Sequence, residues 1–111
     1  PHANREAIET LAKDRQRLVR FLDKRFPPGA AVAMPTAWHV GVETDRPMVG
    51  MKVTIKHQDT AALMAMLDEL GVVAVAINDR QPDGPAFAQV LSRVYSQHAV
   101  VGRWSVFFDR P

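Results

Sequence analysis

The side chains best suited to holding a metal or moving a proton are four histidines, His2, His39, His57 and His98. A metal site needs three or four ligands converging, often two His at i, i+4 on a helix or i, i+2 on a strand. None of the four has such a neighbour, so no metal is expected. The chain has no cysteine, which excludes a disulfide scaffold, a thiolate zinc site and a cysteine nucleophile. Ser92, Ser96 and Ser105 stand in no Gly-x-Ser-x-Gly context, and an unactivated hydroxyl is a poor nucleophile. Neither glycine-rich phosphate loop occurs. Asp68 and Glu69 are adjacent on a predicted helix and cannot face each other. The chain therefore leans away from an enzyme, and no cofactor is called for.

Three places can still bind something. The first is the helix predicted at the N-terminus, where Leu11, Arg15 and Leu18 lie on one stripe. That stripe is narrow, and an Arg in its middle packs its stem while its head seeks water or an acid. Such a face suits a shared interface with a polar insert, so these three residues are candidates for contact with another protein or a second copy of the chain. The same segment holds seven of the 14 basic residues (Arg5, Lys13, Arg15, Arg17, Arg20, Lys24, Arg25) against four acids. A phosphate backbone is the natural partner of such a helix. Arg17, Arg20 and Arg25 are its leading candidates.

The second place is a polar sheet face. Lys52, Lys56 and Arg103 share it with Phe107, and bases beside an aromatic on an open sheet can hold nucleic acid. The third is the loop Asn78-Asp79-Arg80-Gln81-Pro82-Asp83-Gly84. It leaves the carboxyl end of an apolar strand and enters a helix, where ligands of open α/β sheets collect. Asp79, Arg80 and Gly84 are its candidates, with backbone N–H groups of the helix start offered to an anion.

The elements that must position these residues follow from periodicity. Ile8, Leu11, Leu18, Leu22 and Phe26 recur at helical spacing, which predicts one helix over 3–26, stopped by Pro27-Pro28-Gly29. At about 22 residues it would run some 33 Å. Residues 30–36 suggest a short edge strand ended by Pro35. Residues 38–43 and 49–56 alternate apolar and polar, predicting an antiparallel hairpin around Thr44-Asp45-Arg46-Pro47. Asp59 is a good N-cap for a helix over 60–70, and Gly71 a left-handed stop. Val72 to Ile77 is apolar on both faces, as an interior strand requires, and Ala74 and Ala76 leave room for a helix to approach. Asp83 should cap a helix over 84–98, followed by a last strand at 103–109.

The expected fold is α/β, or α+β in a looser description. A long N-terminal helix precedes a mixed four- to five-stranded sheet with a hairpin and two strand–helix–strand crossovers, right-handed and parallel. One domain is expected over 1–111. The 111 residues are 47% hydrophobic and 23% charged, an ordinary globular balance. No apolar run approaches the length of a membrane span. Residues 1–26 are dense in charge and show no signal-peptide pattern, which favours the cytoplasm over the periplasm. A chain opening on Pro1 is expected to have been processed or cut from something longer. The formal net charge of +2 is weak evidence for a polyanion partner. By elimination, the function expected first is protein interaction or self-association. Nucleic-acid binding is the alternative, and a ligand or hydrolase loop at 78–84 the third.

Overall fold

The computed structural model describes residues 2–35, 44–51 and 59–110, with side chains of the first helix described at residue 9 and from 12 onward. The elements are α1 (His2–Arg25), β1 (Ala31–Pro35), β2 (Met48–Met51), α2 (Thr60–Leu70), β3 (Val72–Asn78), α3 (Gly84–Val94), β4 (Gln97–Val101) and β5 (Trp104–Phe108). The strands form one mixed sheet in the order β2-β1-β3-β5-β4. β1 runs parallel to β2 and to β3, and β5 runs antiparallel to β3 and to β4.

Strand alternation sends successive side chains to opposite faces, and here both faces are covered. Ala74 and Ala76 of β3 and Trp104, Val106 and Phe108 of β5 face α1, where Leu18, Leu22 and Phe26 close the layer. The two alanines let α1 approach, as their size predicts. Val75 and Ile77 of β3 and Phe107 of β5 face the other way, onto Leu63 and Leu67 of α2 and Phe87, Val90 and Leu91 of α3. The molecule is thus three layers deep, the second layer being the sheet.

Local chemistry sets several boundaries as expected. The Asp59 carboxylate accepts from the Ala61 N–H at 2.9 Å and starts α2. Gly71 ends it with φ +66° and donates its N–H to Leu67, a left-handed stop that glycine takes without Cβ strain.

Three expectations up to residue 94 need correction, and a fourth, the hairpin, falls largely on residues outside the described set. β1 is interior, paired with β2 on one side and β3 on the other, and its Val32, Ala33 and Met34 are buried. Residues 38–43 and 52–56 lie outside the described residues, and the described part of the second strand pairs parallel with β1. Asp83 stands at the N-cap of α3 in a left-handed conformation (φ 61°), and its side chain makes no capping bond. α3 stops at Val94, not 98: Tyr95 turns extended, and the Ser96 N–H and hydroxyl both donate to the Asp109 carbonyl at 2.8 and 2.7 Å.

That early stop leaves residues 97–101 free to become β4, the strand missed by periodicity. β4 joins β5 through Gly102-Arg103, a two-residue turn with φ +59° at Gly102. A glycine at the first central position is what such hairpins favour. The extra strand reverses the chain, so β5 meets β3 antiparallel where a parallel crossover was expected.

Candidate nucleic-acid interface

α1 lies on the sheet through Leu18 and Leu22, which have no exposed surface. At about 100° per residue, the positions opposite that contact are 13, 17, 20 and 24. All four are basic (Lys13, Arg17, Arg20, Lys24) and all four are exposed. Their 4-3-4 spacing holds them within about 60° of the helix circumference and over about 16 Å of its length. Among the described residues none of them is paired with an acid.

Two acids of the same helix are directed elsewhere, while the exposed Glu9 stands one turn before Lys13. Asp14 is buried on the sheet side and faces Arg103, 4.0 Å away. Asp23 accepts from Arg46 at 3.2 Å. Two carboxylates that would neutralise the helix are thus turned toward arginines from other segments, which leaves Arg17 and Arg20 without an acid among the described residues.

Arg46 does more than hold Asp23. Its side chain is almost wholly buried and fans across the end of α1. Nη1 donates to the carbonyls of Pro27 and Ala30 at 3.1 and 3.0 Å. Nη2 donates to those of Leu22 and Phe26 at 3.0 and 3.3 Å. The last carbonyls of a helix carry its negative dipole end and run short of intrahelical donors; the Leu22 and Pro27 carbonyls also accept from the Phe26 and Ala30 N–H groups, and the guanidinium reaches all four at once. Arg46 thereby locks the C-terminal end of α1 against the start of β1.

The residues singled out from sequence are divided by the structure. Leu18 is a core residue with no exposed surface, so the expected partner contact there gives way to packing on the sheet. Arg15 beside it is half-buried, and the side chain of Leu11 lies outside the described set. Arg17 and Arg20 stand together on the outer face. Arg25 is drawn away from them: it pairs with Asp109 at 3.0 Å and lies over the Phe108 ring, 4.9 Å from its centroid. Phe107 is 2% exposed, because α2 and α3 cover the face expected to be open. It stacks on His98 at 4.4 Å with a 6° tilt and offers no platform to a base. Lys52 and Lys56 lie outside the described residues. Arg103 is exposed but stands between Asp14 and Asp79, at 4.0 and 3.9 Å, so its charge is spent locally.

The 78–84 loop borders a cavity of about 180 Å³ lined by Ile77, Asn78, Asp79, Gly84, Pro85 and Ser105 among others, smaller than ligand pockets usually are. The Asp79 N–H donates to Arg103 and the Gly84 N–H to Gln81, each at 2.9 Å. The Arg80 N–H donates to the Asn78 side chain. Pro85 has no N–H to give. The start of α3 therefore has few donors left for an anion, and Asp79 puts a carboxylate at the mouth. Comparison with protein-family models, curated proteins and solved structures gives no match.

Lys13 and Lys24 are the site residues that sequence reasoning missed. The signal was present: once α1 is assigned, 13, 17, 20 and 24 fall on one stripe. The contribution of Arg46 carried no such signal. No group of three metal-binding side chains exists among the described residues, and no helix there is long and apolar enough to cross a membrane.

Proposed function

We propose that the chain is a binding module that lays the outer face of α1 along the phosphate backbone of a nucleic acid. The observation carrying this reading is the row Lys13, Arg17, Arg20 and Lys24, exposed and unpaired with acids among the described residues. A row of about 16 Å spans roughly five phosphates of one strand at about 3.4 Å each. Contacts of this kind are blind to sequence and strongly dependent on salt, because each neutralised phosphate releases counterions.

The test is fluorescence anisotropy of labelled duplex and single-stranded oligonucleotides of unrelated sequences, titrated with the whole chain at several salt concentrations. Comparable affinity across sequences is expected, with a log–log salt slope of roughly −3 to −4 on duplex DNA for four contacts. The double variant Arg17→Gln/Arg20→Gln should flatten that slope by roughly two units, with no change in circular dichroism. Arg25→Gln should change it least, since Arg25 is already paired. A wild-type chain that binds neither form at low salt overturns the proposal.

A further inference from the structure

β4 closes one end of the sheet, and its one neighbour among the described strands is β5. The direction of its polar groups follows from the ladder. The Asp79 N–H donates to the Arg103 carbonyl, continuing the β3–β5 register Asn78↔Trp104. Backbone groups alternate sides along a strand, so Arg103, Ser105 and Phe107 turn theirs toward β3, and Trp104, Val106 and Phe108 toward β4. Their partners Val101, Ala99 and Gln97 are thereby satisfied. The N–H and C=O groups of His98 and Val100 point the other way, off the sheet.

Among the described residues this edge lacks the devices that keep strands apart. Proteins guard edges with charges, prolines, bulges or a covering segment. Gln97-His98-Ala99-Val100-Val101 has no Asp, Glu, Lys, Arg or Pro, and its register with β5 is regular. Val100 is 72% exposed, the most exposed large hydrophobic residue of the described set.

We propose that the β4 edge pairs antiparallel with the same edge of a second copy of this chain, about a two-fold axis at Ala99. The strand is complementary to itself in that register. His98 of one copy stands opposite Val100 of the other, and each such pair exchanges both backbone hydrogen bonds. Ala99 meets Ala99 in the wide pair, where Cα atoms come within about 4.5 Å and small side chains fit. The two-fold sets no formal charge against its like, and even a protonated His98 faces Val100 rather than a second imidazole. Val100 then covers the side of the neighbour's stacked His98–Phe107 pair.

The axis stands normal to the sheet, so both α1 helices lie on the same face of the joined sheet and both basic rows turn outward together. That consequence rests on the nucleic-acid reading; the pairing itself does not.

The pairing is tested without nucleic acid. Sedimentation velocity of the whole chain over a concentration series should show a monomer–dimer equilibrium. Hydrogen exchange should show the His98 and Val100 amides slowing as concentration rises. Val100→Lys puts a charge on an exposed position and should weaken dimerisation by roughly tenfold or more, with unchanged circular dichroism. Val100→Pro, which removes one outward N–H and leaves the β5 ladder intact, should act alike. A wild-type chain that stays monomeric at high concentration overturns the proposal and leaves the edge to an extended segment of another protein. A dimer that survives Val100→Lys, or one in which those two amides stay unprotected, also overturns it. None of these readings changes if the chain fails to bind oligonucleotides.

Discussion

The Asp14 carboxylate of α1 occupies the place where a side chain at Gly102 would begin. A Cβ built on Gly102 meets Asp14 Oδ1 closer than real Cβ contacts come, and the residue holds φ +59°. The β4–β5 turn and the helix therefore touch through a glycine that is needed twice. Gly102→Ala should cost about 1–2 kcal/mol for backbone conformation and a further increment for the clash. Adding Asp14→Ala should recover the second part but not the first. Urea unfolding of the two single variants and the double one measures the coupling; strict additivity would mean that the two residues do not meet.

Arg46 supplies a second test of how α1 is held. Arg46→Met keeps most of the apolar stem but removes the guanidinium from the carbonyls of Leu22, Phe26, Pro27 and Ala30; Leu22 and Pro27 keep the N–H groups of Phe26 and Ala30. A loss of about 2–4 kcal/mol is expected, since buried bonds from a charged donor are among the costlier to remove. Arg46→Lys should recover little of it, because an ammonium cannot fan across carbonyls the way a guanidinium does. Equal stability of the wild type and both variants in urea would show that water caps the helix as well as Arg46 does.

The parts of the fold legible in the sequence were those decided locally. Asp59 and Gly71 bracket α2 through bonds within one turn, and the two-sided apolar run from Val72 marked an interior strand. The burial of Arg46 was invisible, because its carbonyl partners lie 16 to 24 residues earlier in the chain and Thr44-Asp45-Arg46-Pro47 looks like any solvated turn. β4 was hidden by a helical period that ran on past Val94; the bonds from Ser96 to Asp109 that end it come from the far end of β5. Phe107 was misplaced for the same reason. Its alternation with Trp104, Val106 and Phe108 was correct, but a face that is polar at 103 and 105 gave no hint that α2 and α3 would cover it. Of the candidate site, Arg17 and Arg20 were legible from composition, and their freedom from acids was not, since it depends on where Arg46 and Arg103 fall.

The two faces of α1 should respond oppositely to the same chemistry. Leu18→Glu buries a carboxylate without a partner at a position with no exposed surface, and should cost at least about 3 kcal/mol. Arg17→Glu, one residue before it but on the outer face, should leave stability within about 0.5 kcal/mol. Thermal melts followed by circular dichroism decide this. A Leu18→Glu chain that melts like the wild type would put the stripe at an interface between chains rather than in the core.

Tyr95 gives the fold an alkaline limit. Its ring is packed with α2 and α3 at the end of α3, 4% exposed, and its hydroxyl is buried without a hydrogen-bond partner. Burial pushes its pKa up to about 12; Arg110 pulls it down and Asp68 adds a smaller push upward. Arg110 and Asp68 also pair with each other beside it. The unfolded chain titrates near the ordinary value of 10.0, so between 10 and 12 the folded state holds a proton that the unfolded state has released. Stability from this group is therefore complete below pH 10 and declines as pH rises toward 12, by up to about 3 kcal/mol. Tyr95→Phe removes both the titration and the unsatisfied hydroxyl. At pH 7 it should be neutral or stabilising by up to about 1 kcal/mol, and between pH 10 and 12 its advantage over the wild type should widen. Urea midpoints across that range measure the difference, and parallel losses in the two chains would show that Tyr95 keeps an ordinary pKa in the fold.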